Sequence, residues 1–356
     1  MRKLGLIDAQ RESGKYAETN ACLKRLSHPR IFLLLIALSP VFLFAKKGTI
    51  EKTEPVASPW FTGSLICPSA NTIDAGSYNI EPYLYVTDNP AIYDNDWHAN
   101  SIPPEWTIEA QIPVWVGLTN WCDIEFQPTL MWNHKQGGGG AWALGDILLQ
   151  FDFQLWRDEL PHKSWLPTIK FAIRESIPVG KYRNLNPLKR TADQGGYGTW
   201  ATGAQLIFGR LFYFSGVHFL NMRLALQYNF YHSLVHVKGY DAYGGGIGAN
   251  GKIRPGSDFA IDLGLEYSLS RHWALALDLV GYWQAKAKFT GYSGTNFLRG
   301  TPTAVAKAAD IQYSIAPGIE YNWNENLGII TGAWFTVAGK QISEFYSFIF
   351  AVNYYK

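Results

Sequence analysis

The stretch FAIDLGLEYSL, residues 259–269, alternates between large apolar and small or acidic side chains. Its odd-numbered positions hold Phe, Ile, Leu, Leu, Tyr and Leu, and its even-numbered positions hold Ala, Asp, Gly, Glu and Ser. Because successive side chains of a β-strand point to opposite faces, this period of two predicts a strand with one apolar and one polar face. Residues 220–230 and 311–321 repeat the alternation, so the same kind of strand recurs along the chain.

From residue 76 onward the chain contains about twelve strand-like runs of roughly ten or more residues, the length that a tilted strand needs to cross a bilayer. The runs begin near Gly76, Glu105, Trp121, Ala141, Pro167, Thr199, Phe219, Asp258, His272, Ala308, Leu327 and Glu344. No apolar stretch beyond residue 45 is long enough for a membrane-spanning helix. If this part of the chain enters a membrane, it must therefore do so as a closed barrel.

The connections between the runs alternate in length. Those after the second, eighth and tenth runs turn within a few residues, whereas those after the first, fifth, seventh and ninth are long and rich in Gly, Asn, Asp and Pro, as in residues 181–198 and 238–256. An up-and-down barrel places every second connection at the same end, with short periplasmic turns and longer external loops. The pattern predicts an all-β fold: a transmembrane, antiparallel, up-and-down β-barrel of about twelve strands over residues 76–356, in a bacterial-type outer membrane.

The N-terminal region has a different composition. Residues 31–45 read IFLLLIALSPVFLFA, with Arg30 before them and Lys46 after them. A basic region followed by a short apolar run predicts a secretory signal over residues 1–45; the alternative is a membrane anchor helix, for which the run is short. Residues 46–75 have no clear period and are predicted to form a periplasmic tail or a small plug.

Composition narrows the functional class. Aromatic residues make up 15% of the chain, which has 34 Gly, as expected for many strands and tight turns. The formal net charge is only +2, so the chain lacks the basic field of a nucleic-acid-binding protein. We expect no nucleic-acid partner.

Tryptophans cluster near the proposed ends of the strands. Two girdles of indole rings are typical of barrels in a bilayer, although soluble sandwiches also bury Trp near strand ends. The candidate interface residues are Trp121, Trp156, Trp273 and Trp323 at the short turns, and Trp132, Trp142 and Trp283 near the long loops.

In each strand, the apolar side chains lie at every second position and the charged ones at the positions between them; we call each set a parity. If the apolar parity faces lipid, the charged parity faces the lumen, because an Arg or Lys on the lipid face near the bilayer midplane is unfavourable by roughly 2 to 4 kcal/mol. The predicted pore-lining residues are Glu109, Glu125, Asp146, Asp152, Lys170, Arg174, Arg223, Asp262, Glu266, Asp278 and Glu320. Such charges tune the selectivity of a water-filled pore. The alternative is a lumen closed by salt bridges among the same residues.

Other chemistry has weaker support. Ser233 lies beside His232 and near His236, as a lipid hydrolase would need, but adjacent residues of a strand point to opposite faces. The glycine runs at residues 137–140 and 244–251 lack a phosphate-loop context, and flexible external loop tips explain them better.

Two further segments raise questions of partners and covalent chemistry. The basic residues 181–190 are either solvated or in contact with lipopolysaccharide headgroups. Cys67 and Cys122 lie outside the predicted signal and form either a disulfide or two unrelated thiols. No His, Cys or carboxylate cluster has metal-ligand spacing, so no metal or cofactor is expected.

The segments FAIDLGLEYSLSRHWALALDLVGYW and IQYSIAPGIEYNWNENLGIITGAWFTV resemble the outer-membrane channel family associated with phenol-degradation operons, and more distantly the hydrophobic-compound channels of the fatty-acid uptake type. The resemblance covers residues 76–356 and lies in the alternation of aromatic and small or polar residues within the strands and in the spacing of the turns. It implies the class, an outer-membrane channel, and not a substrate. We therefore expect passive uptake of small solutes, with apolar or aromatic molecules as candidates, and, because no lipid-hydrolase motif is present, no enzymatic activity. A structural or surface-adhesion barrel with a closed lumen is the alternative.

The last run also resembles a known signal. Aromatic residues alternate from Tyr346 to Tyr354, as in the C-terminal strands through which outer-membrane barrels are recognised for assembly, although this chain ends in Lys356. The resemblance implies an interaction between this strand and the barrel-assembly machinery.

Overall fold

The computed structural model describes residues 59–162, 164–305 and 308–356. The predicted signal over residues 1–45 and the first part of the predicted tail, residues 46–58, lie outside the described residues. Within the described ranges, the chain forms strands and a single short 3-10 turn at Pro187–Lys189. No helix in this part of the chain is long and apolar enough to cross a membrane.

The first four barrel strands are each divided into two segments. They are β1 (Tyr78–Ile80), β2 (Tyr83–Tyr93), β3 (Ala99–Gln111), β4 (Val114–Thr119), β5 (Cys122–Gln127), β6 (Thr129–Lys135), β7 (Gly139–Leu144) and β8 (Ile147–Trp156). Pro82, Pro113 and Pro128 stand at three of the four interruptions. Proline has no N–H to donate, so the hydrogen-bonding ladder breaks at these positions.

Most of the later barrel strands are continuous and longer. In chain order the remaining strands are β9 (Thr168–Ile177), β10 (Ala201–Ser215), β11 (His218–Tyr231), β12 (Val235–Asp241), β13 (Gly244–Arg254), β14 (Asp258–Ser268), β15 (Trp273–Gln284), β16 (Lys288–Tyr292), β17 (Asp310–Asn322), β18 (Leu327–Lys340) and β19 (Ser343–Tyr355). All of these except β12, β13 and β16 belong to the barrel.

The barrel closes between its first and last strands. Each barrel strand pairs antiparallel with its neighbours, and β19 pairs with β18, β1 and β2. The Ile80↔Tyr354 pair is part of this closure. The predicted closed, antiparallel, up-and-down barrel of twelve strands is confirmed.

The two ends of the barrel differ in their connections. At the end where β1 begins and β19 finishes, which we call the turn end, the connections include residues 120–121, 216–217 and 323–326. The opposite end, the loop end, has long connections over residues 178–200, 232–257 and 285–309. The prediction of a long connection after the first strand is wrong. Strands β2 and β3 extend further than the sequence indicated, so only residues 94–98 connect them.

Strands β12, β13 and β16 form a separate sheet at the loop end, which we call the loop sheet. Val235, Val237 and Ile253 are fully buried in its core. The expectation that residues 244–251 form a flexible loop tip is wrong, because these residues belong to β13 and pair with β12 and β16. The apolar residues that flank the glycines supply the core that makes this possible.

The outer surface of the barrel is apolar. Side chains such as Leu118, Ile173, Phe214, Leu275 and Phe348 are exposed. Of the predicted interface tryptophans, Trp121, Trp142, Trp156, Trp273 and Trp323 are between 44% and 68% exposed, and Trp132 and Trp283 are half-buried. A wall with so much exposed apolar area is suited to lipid and not to water.

The long connection at residues 157–167 of the turn end contacts a charged side chain on the outer face of the barrel. Arg210 on β10 donates to the carbonyl oxygens of Ser164 and Trp165, and its Nε lies 4.0 Å from Oδ2 of Asp158. The connection folds over the outer wall and satisfies this guanidinium, which would otherwise face lipid.

Candidate functional site in the barrel interior

Residues 59–76, which we call the inner segment, lie against the inner wall near the turn end. The N–H of Thr62 donates to Oε2 of Glu320 over 2.7 Å, and the N–H groups of Leu65 and Cys67 donate to the two carboxylate oxygens of Asp278, each over 3.0 Å. Asp123 accepts from the N–H of Ile73 over 2.6 Å. Carboxylates of three barrel strands therefore satisfy backbone donors of a segment that has no ladder partner of its own.

Glycines on the facing strands make room for the inner segment. A Cβ built on Gly264 would lie 2.7 Å from the Cβ of Cys67, and one on Gly209 would lie 2.6 Å from the Cβ of Ala70. Gly318 and Gly332 leave space for Leu65, whose Cδ1 would lie 2.8 Å and 2.5 Å from a Cβ at these positions. Larger residues at these positions would displace the segment, because Cβ contacts this short do not occur in packed proteins.

A buried charge cluster lies beside the inner segment. The Arg223 guanidinium donates to Oε2 of Glu266 and to the carbonyl oxygen of Cys67. Asp262, Asp278 and Glu320 lie on the neighbouring strands with their side chains buried. One guanidinium thus pairs with a carboxylate of the wall and also donates to the inner segment, so the cluster couples the wall to residues 59–76.

A second ion pair lies on β8 and β9, and only β10 separates these strands from β11, which carries Arg223. The Nζ of Lys170 is 3.2 Å from Oδ2 of Asp152, and both side chains are almost fully buried. Gln150 also donates to Asp152, over 3.0 Å. The pair is enclosed, as expected of a buried charge with a partner.

One row of inward residues crosses eight adjacent strands through consecutive register pairs. The row consists of Glu125, Gln150, Arg174, Gly203, Asn229, Asp258, Gln284 and Asp310. Arg174 lies across Gly203 and donates to Oε1 of Gln227 over 2.6 Å. The row runs obliquely from Glu125, near the turn end of β5, to Asp258 and Asp310 at the loop ends of β14 and β17. It places a guanidinium and several carboxylates on the inner wall.

A cavity of about 220 Å³ borders this row, with Arg174, Asn229, Tyr231, Tyr197 and Asp146 among its lining residues. The hydroxyl of Tyr231 donates to Asp258 over 2.6 Å, and Asp146 accepts from the N–H groups of Gly180 and Tyr197. The cavity therefore has polar walls whose side chains are held in place by hydrogen bonds.

The connection over residues 178–200 reaches into the barrel mouth. Asn133, on the inward parity of β6, donates to the carbonyl oxygens of Ala192 and Gln194. Ala192 is fully buried. This connection thus narrows the interior at the loop end, as the inner segment does at the turn end.

Ten of the eleven predicted pore-lining residues lie on the inward-facing positions of their strands, and Asp146 lies between β7 and β8. Eight are buried, namely Glu125, Asp152, Lys170, Arg223, Asp262, Glu266, Asp278 and Glu320. Three are half-buried, namely Glu109, Asp146 and Arg174. Sequence reasoning missed Asp123, Asp258 and Asp310, although each lies on the charged parity of an alternating run and that signal would have found it.

Of the two alternatives for Cys67 and Cys122, the structure has two unrelated thiols and no disulfide between them. Cys67 and Cys122 are both free, buried thiols. Cys67 packs against Gly264 of β14 and its Sγ lies 3.6 Å from the carbonyl oxygen of Asp262, whereas Cys122 begins β5. These strands are not neighbours in the barrel, which keeps the two thiols apart.

Ser233 and the adjacent histidines take up separate roles. The Oγ of Ser233 lies 2.9 Å from Oγ1 of Thr199 and accepts from the N–H of Trp200 over 3.0 Å. His232 lies 3.2 Å from a carboxylate oxygen of Glu175, and His236 belongs to β12 of the loop sheet. Ser233 therefore links the connection over residues 232–257 to the connection over residues 178–200. Its hydroxyl is not paired with any histidine that the structure describes, as a nucleophile–base pair would require. Among the described residues, no group of three or more His, Cys, Asp and Glu is arranged to hold a metal ion.

The closed wall, the apolar outer belt and the charged interior define the chain as an outer-membrane β-barrel. In keeping with this class, the fold is similar to that of an outer membrane channel from Pseudomonas putida F1, with a TM-score of 0.61, 12% sequence identity, and coverage of 81% of this chain and 98% of that one. At this identity the similarity establishes the fold.

Two other solved structures are less similar. The β domain of the Bordetella autotransporter BrkA gives a TM-score of 0.43 at 12% identity, covering 79% of this chain and 99% of that one. A mutant of the TodX monoaromatic hydrocarbon channel gives 0.39 at 12% identity, covering 80% and 90%. No protein-family model and no curated protein matches the sequence.

Proposed function

We propose that the barrel is a passive channel for small solutes that admits cations and neutral molecules in preference to anions. The observation that carries this proposal is the charge of the interior. Nine carboxylates of the barrel strands are buried there, against the buried cations Lys170 and Arg223 and the half-buried Arg174. Lys170 and Arg223 are already paired with carboxylates. A fixed negative potential in a narrow lumen raises the local concentration of cations and lowers that of anions.

The candidate solutes are small, with apolar or aromatic molecules included. The cavity at the loop end combines the rings of Tyr197 and Tyr231 with the apolar side chain of Leu148 and with hydrogen-bonding groups. Such a lining suits a neutral ring that carries a hydroxyl or amide group.

We infer that the inner segment restricts passage at the turn end. Its residues fit the space left by glycines of the facing strands, and carboxylates accept from its N–H groups. A segment held this closely acts as a plug whose displacement widens the lumen.

The same packing supports a second candidate function, a structural or adhesion barrel with a closed lumen. In that case the inner segment is permanent and the long connections at the loop end bind partners. Deletion of residues 244–251 would then abolish cell-surface binding, whereas a channel would keep its conductance after the same deletion.

Planar-bilayer recording of the refolded protein tests the proposal. In a gradient of KCl, we expect discrete current steps and a reversal potential of the sign that potassium permeation gives. The absence of any current over the accessible voltage range would refute the channel and leave the closed barrel. Current with chloride selectivity would retain the channel and refute the role assigned to the interior carboxylates.

A further inference from the structure

The loop sheet has one buried face and one cationic face. Side chains that alternate with its buried core are exposed on all three strands. The cations of this exposed face are Lys238 on β12, Lys252 and Arg254 on β13, and Lys288 on β16. Among the described residues of these strands, the exposed ones include no carboxylate. We call these four residues the cationic face.

The register brings like charges together. Arg254 is the direct partner of Lys288 across the β13–β16 pair, and Lys252 lies two residues before Arg254 on the same exposed face of β13. Directly opposed like charges destabilise an antiparallel pair. A bound anion would remove this repulsion, because it would lie within reach of several cations at once.

A groove lies at the loop-end margin of the barrel wall, beside the cationic face. It has a volume of about 420 Å³, and the apolar side chains of Tyr228, Phe259, Trp283 and Ile311 contribute to its lining, together with Asp258, Gln284 and Asp310 of the inward row. The groove also includes Ser257, three residues after Arg254, and Ala285, three residues before Lys288. Three extended residues span at most about 10 Å. The groove and the cationic face are therefore adjacent at two places, between β13 and β14 and between β15 and β16.

We propose that the cationic face and this groove together bind a phosphorylated lipid of the surrounding leaflet, namely lipopolysaccharide. Its phosphates would lie on Lys252, Arg254 and Lys288, and an acyl chain would lie in the groove against Phe259 and Trp283. The combination of anionic and apolar recognition selects an amphiphile over a water-soluble polyanion. The site does not depend on whether the lumen conducts.

The basic segment 181–190 is less suited to this role. Lys181 already forms an ion pair with Asp193, which also accepts from the N–H of Asn186. Arg183 lies over the ring of Tyr182, at 5.5 Å from its centroid. These cations are partly engaged within the protein, whereas the cations of the cationic face oppose one another.

The test is equilibrium binding of purified lipopolysaccharide to the detergent-solubilised barrel. The triple variant Lys252→Gln, Arg254→Gln, Lys288→Gln should bind about tenfold more weakly than the wild type. The matched control Arg183→Gln, Arg190→Gln, Arg299→Gln removes three exposed cations at the same end of the barrel and should bind as the wild type does. Dephosphorylated lipopolysaccharide should bind the wild type and the triple variant equally.

Amide hydrogen exchange verifies that the triple variant is folded. In the absence of lipid, amides of β13 should exchange more slowly in this variant than in the wild type, because the repulsion is removed. A further variant, Trp283→Ser, should weaken binding of intact lipopolysaccharide and leave binding of its deacylated form unchanged.

Three results would overturn the proposal. One is equal loss of binding in the triple variant and its control; another is tight binding of dephosphorylated lipopolysaccharide. The third is binding of heparin, a soluble polyanion, at concentrations where lipopolysaccharide does not bind, which would assign the cationic face to a soluble partner.

Discussion

The two ends of the interior are built differently. At the turn end, residues 59–76 fill the space against glycines, and carboxylates such as Asp278 accept from backbone N–H groups. At the loop end, a cavity of about 220 Å³ remains between a row of polar side chains and the connection over residues 178–200. The same kind of inward carboxylate thus serves a structural purpose at one end and lines open space at the other.

In the proposed channel, the two ends would control different properties. The inner segment would limit the cross-section, and therefore the conductance, near the turn end. Charges around the cavity would act on a solute that still has room to move, and would therefore set the selectivity. Substitutions at the turn end should therefore change conductance and stability, and substitutions at the loop end should change selectivity.

The largest expected effect comes from Gly264→Leu. The new side chain would collide with Cys67 and Ser64, each at 2.7 Å from the Cβ position, and would force the inner segment from the wall. We expect conductance to rise by about threefold or more, because the lumen widens. Cys67, which is 2% exposed in the native barrel, should become reactive to maleimide.

Ala260→Leu is the matched control, since Ala260 lies on the same parity of β14, four residues nearer the loop end. It should leave Cys67 protected. Unchanged conductance together with a protected Cys67 in Gly264→Leu would remove the distinction between a filled and an open end.

The next effect is on stability. Asp278→Ala leaves the N–H groups of Leu65 and Cys67 without their acceptor and should lower the free energy of unfolding by about 2 to 4 kcal/mol. Urea unfolding in detergent measures this change. Asp96→Ala, at an exposed position of the connection 94–98, should change it by less than about 0.5 kcal/mol. Equal values for the two variants would show that Asp278 does not hold the inner segment.

A smaller effect is expected on selectivity at the loop end. Asp258→Asn removes a carboxylate of the polar row and should lower the ratio of potassium to chloride permeability by about twofold. Arg174→Gln should raise that ratio by a similar factor. Reversal potentials in a KCl gradient provide the measurement, and a change of the same sign in both variants would contradict the electrostatic explanation.

The smallest effect concerns pH and the loop sheet. Burial raises the pKa of Asp241 to about 6, although hydrogen bonds from neighbouring backbone N–H groups and the charge of Arg183 oppose the shift. Because the folded form holds this proton more tightly than the unfolded chain, the stabilisation is complete below about pH 4 and is lost as the pH rises through 6. Amides of β12 should exchange faster at pH 7 than at pH 5.

The side chain in Asp241→Asn has no carboxyl group to titrate. After correction for the intrinsic pH dependence of amide exchange, this variant should therefore show the same protection of β12 at pH 5 and pH 7. The interior of the barrel should be unaffected, since Asp241 belongs to the loop sheet. If the corrected exchange of β12 amides in the wild type were slower at pH 7 than at pH 5, the fold would stabilise the carboxylate form of Asp241, and the prediction would be wrong.

The alternation of residues 259–269 was sufficient to predict both a strand and the face that its charges take. The same reasoning placed Glu266 and Asp278 in the interior, where the structure has them. It failed for residues 244–251, because glycines carry no periodicity and their strand depends on partners in β12 and β16. It could not decide between a disulfide and two separate thiols for Cys67 and Cys122, since spacing along the chain does not reveal which strands are neighbours.

The sequence by itself determined the fold class, the number of strands and the inward parity, because these follow from a local period of two and from the unfavourable energy of a charge in lipid. Only the tertiary structure decided that Gly209, Gly264 and Gly318 face one inner segment, and that Arg254 opposes Lys288. Both features depend on contacts between residues far apart in the chain. Such contacts are set by the closure and register of the whole barrel, which no local pattern encodes.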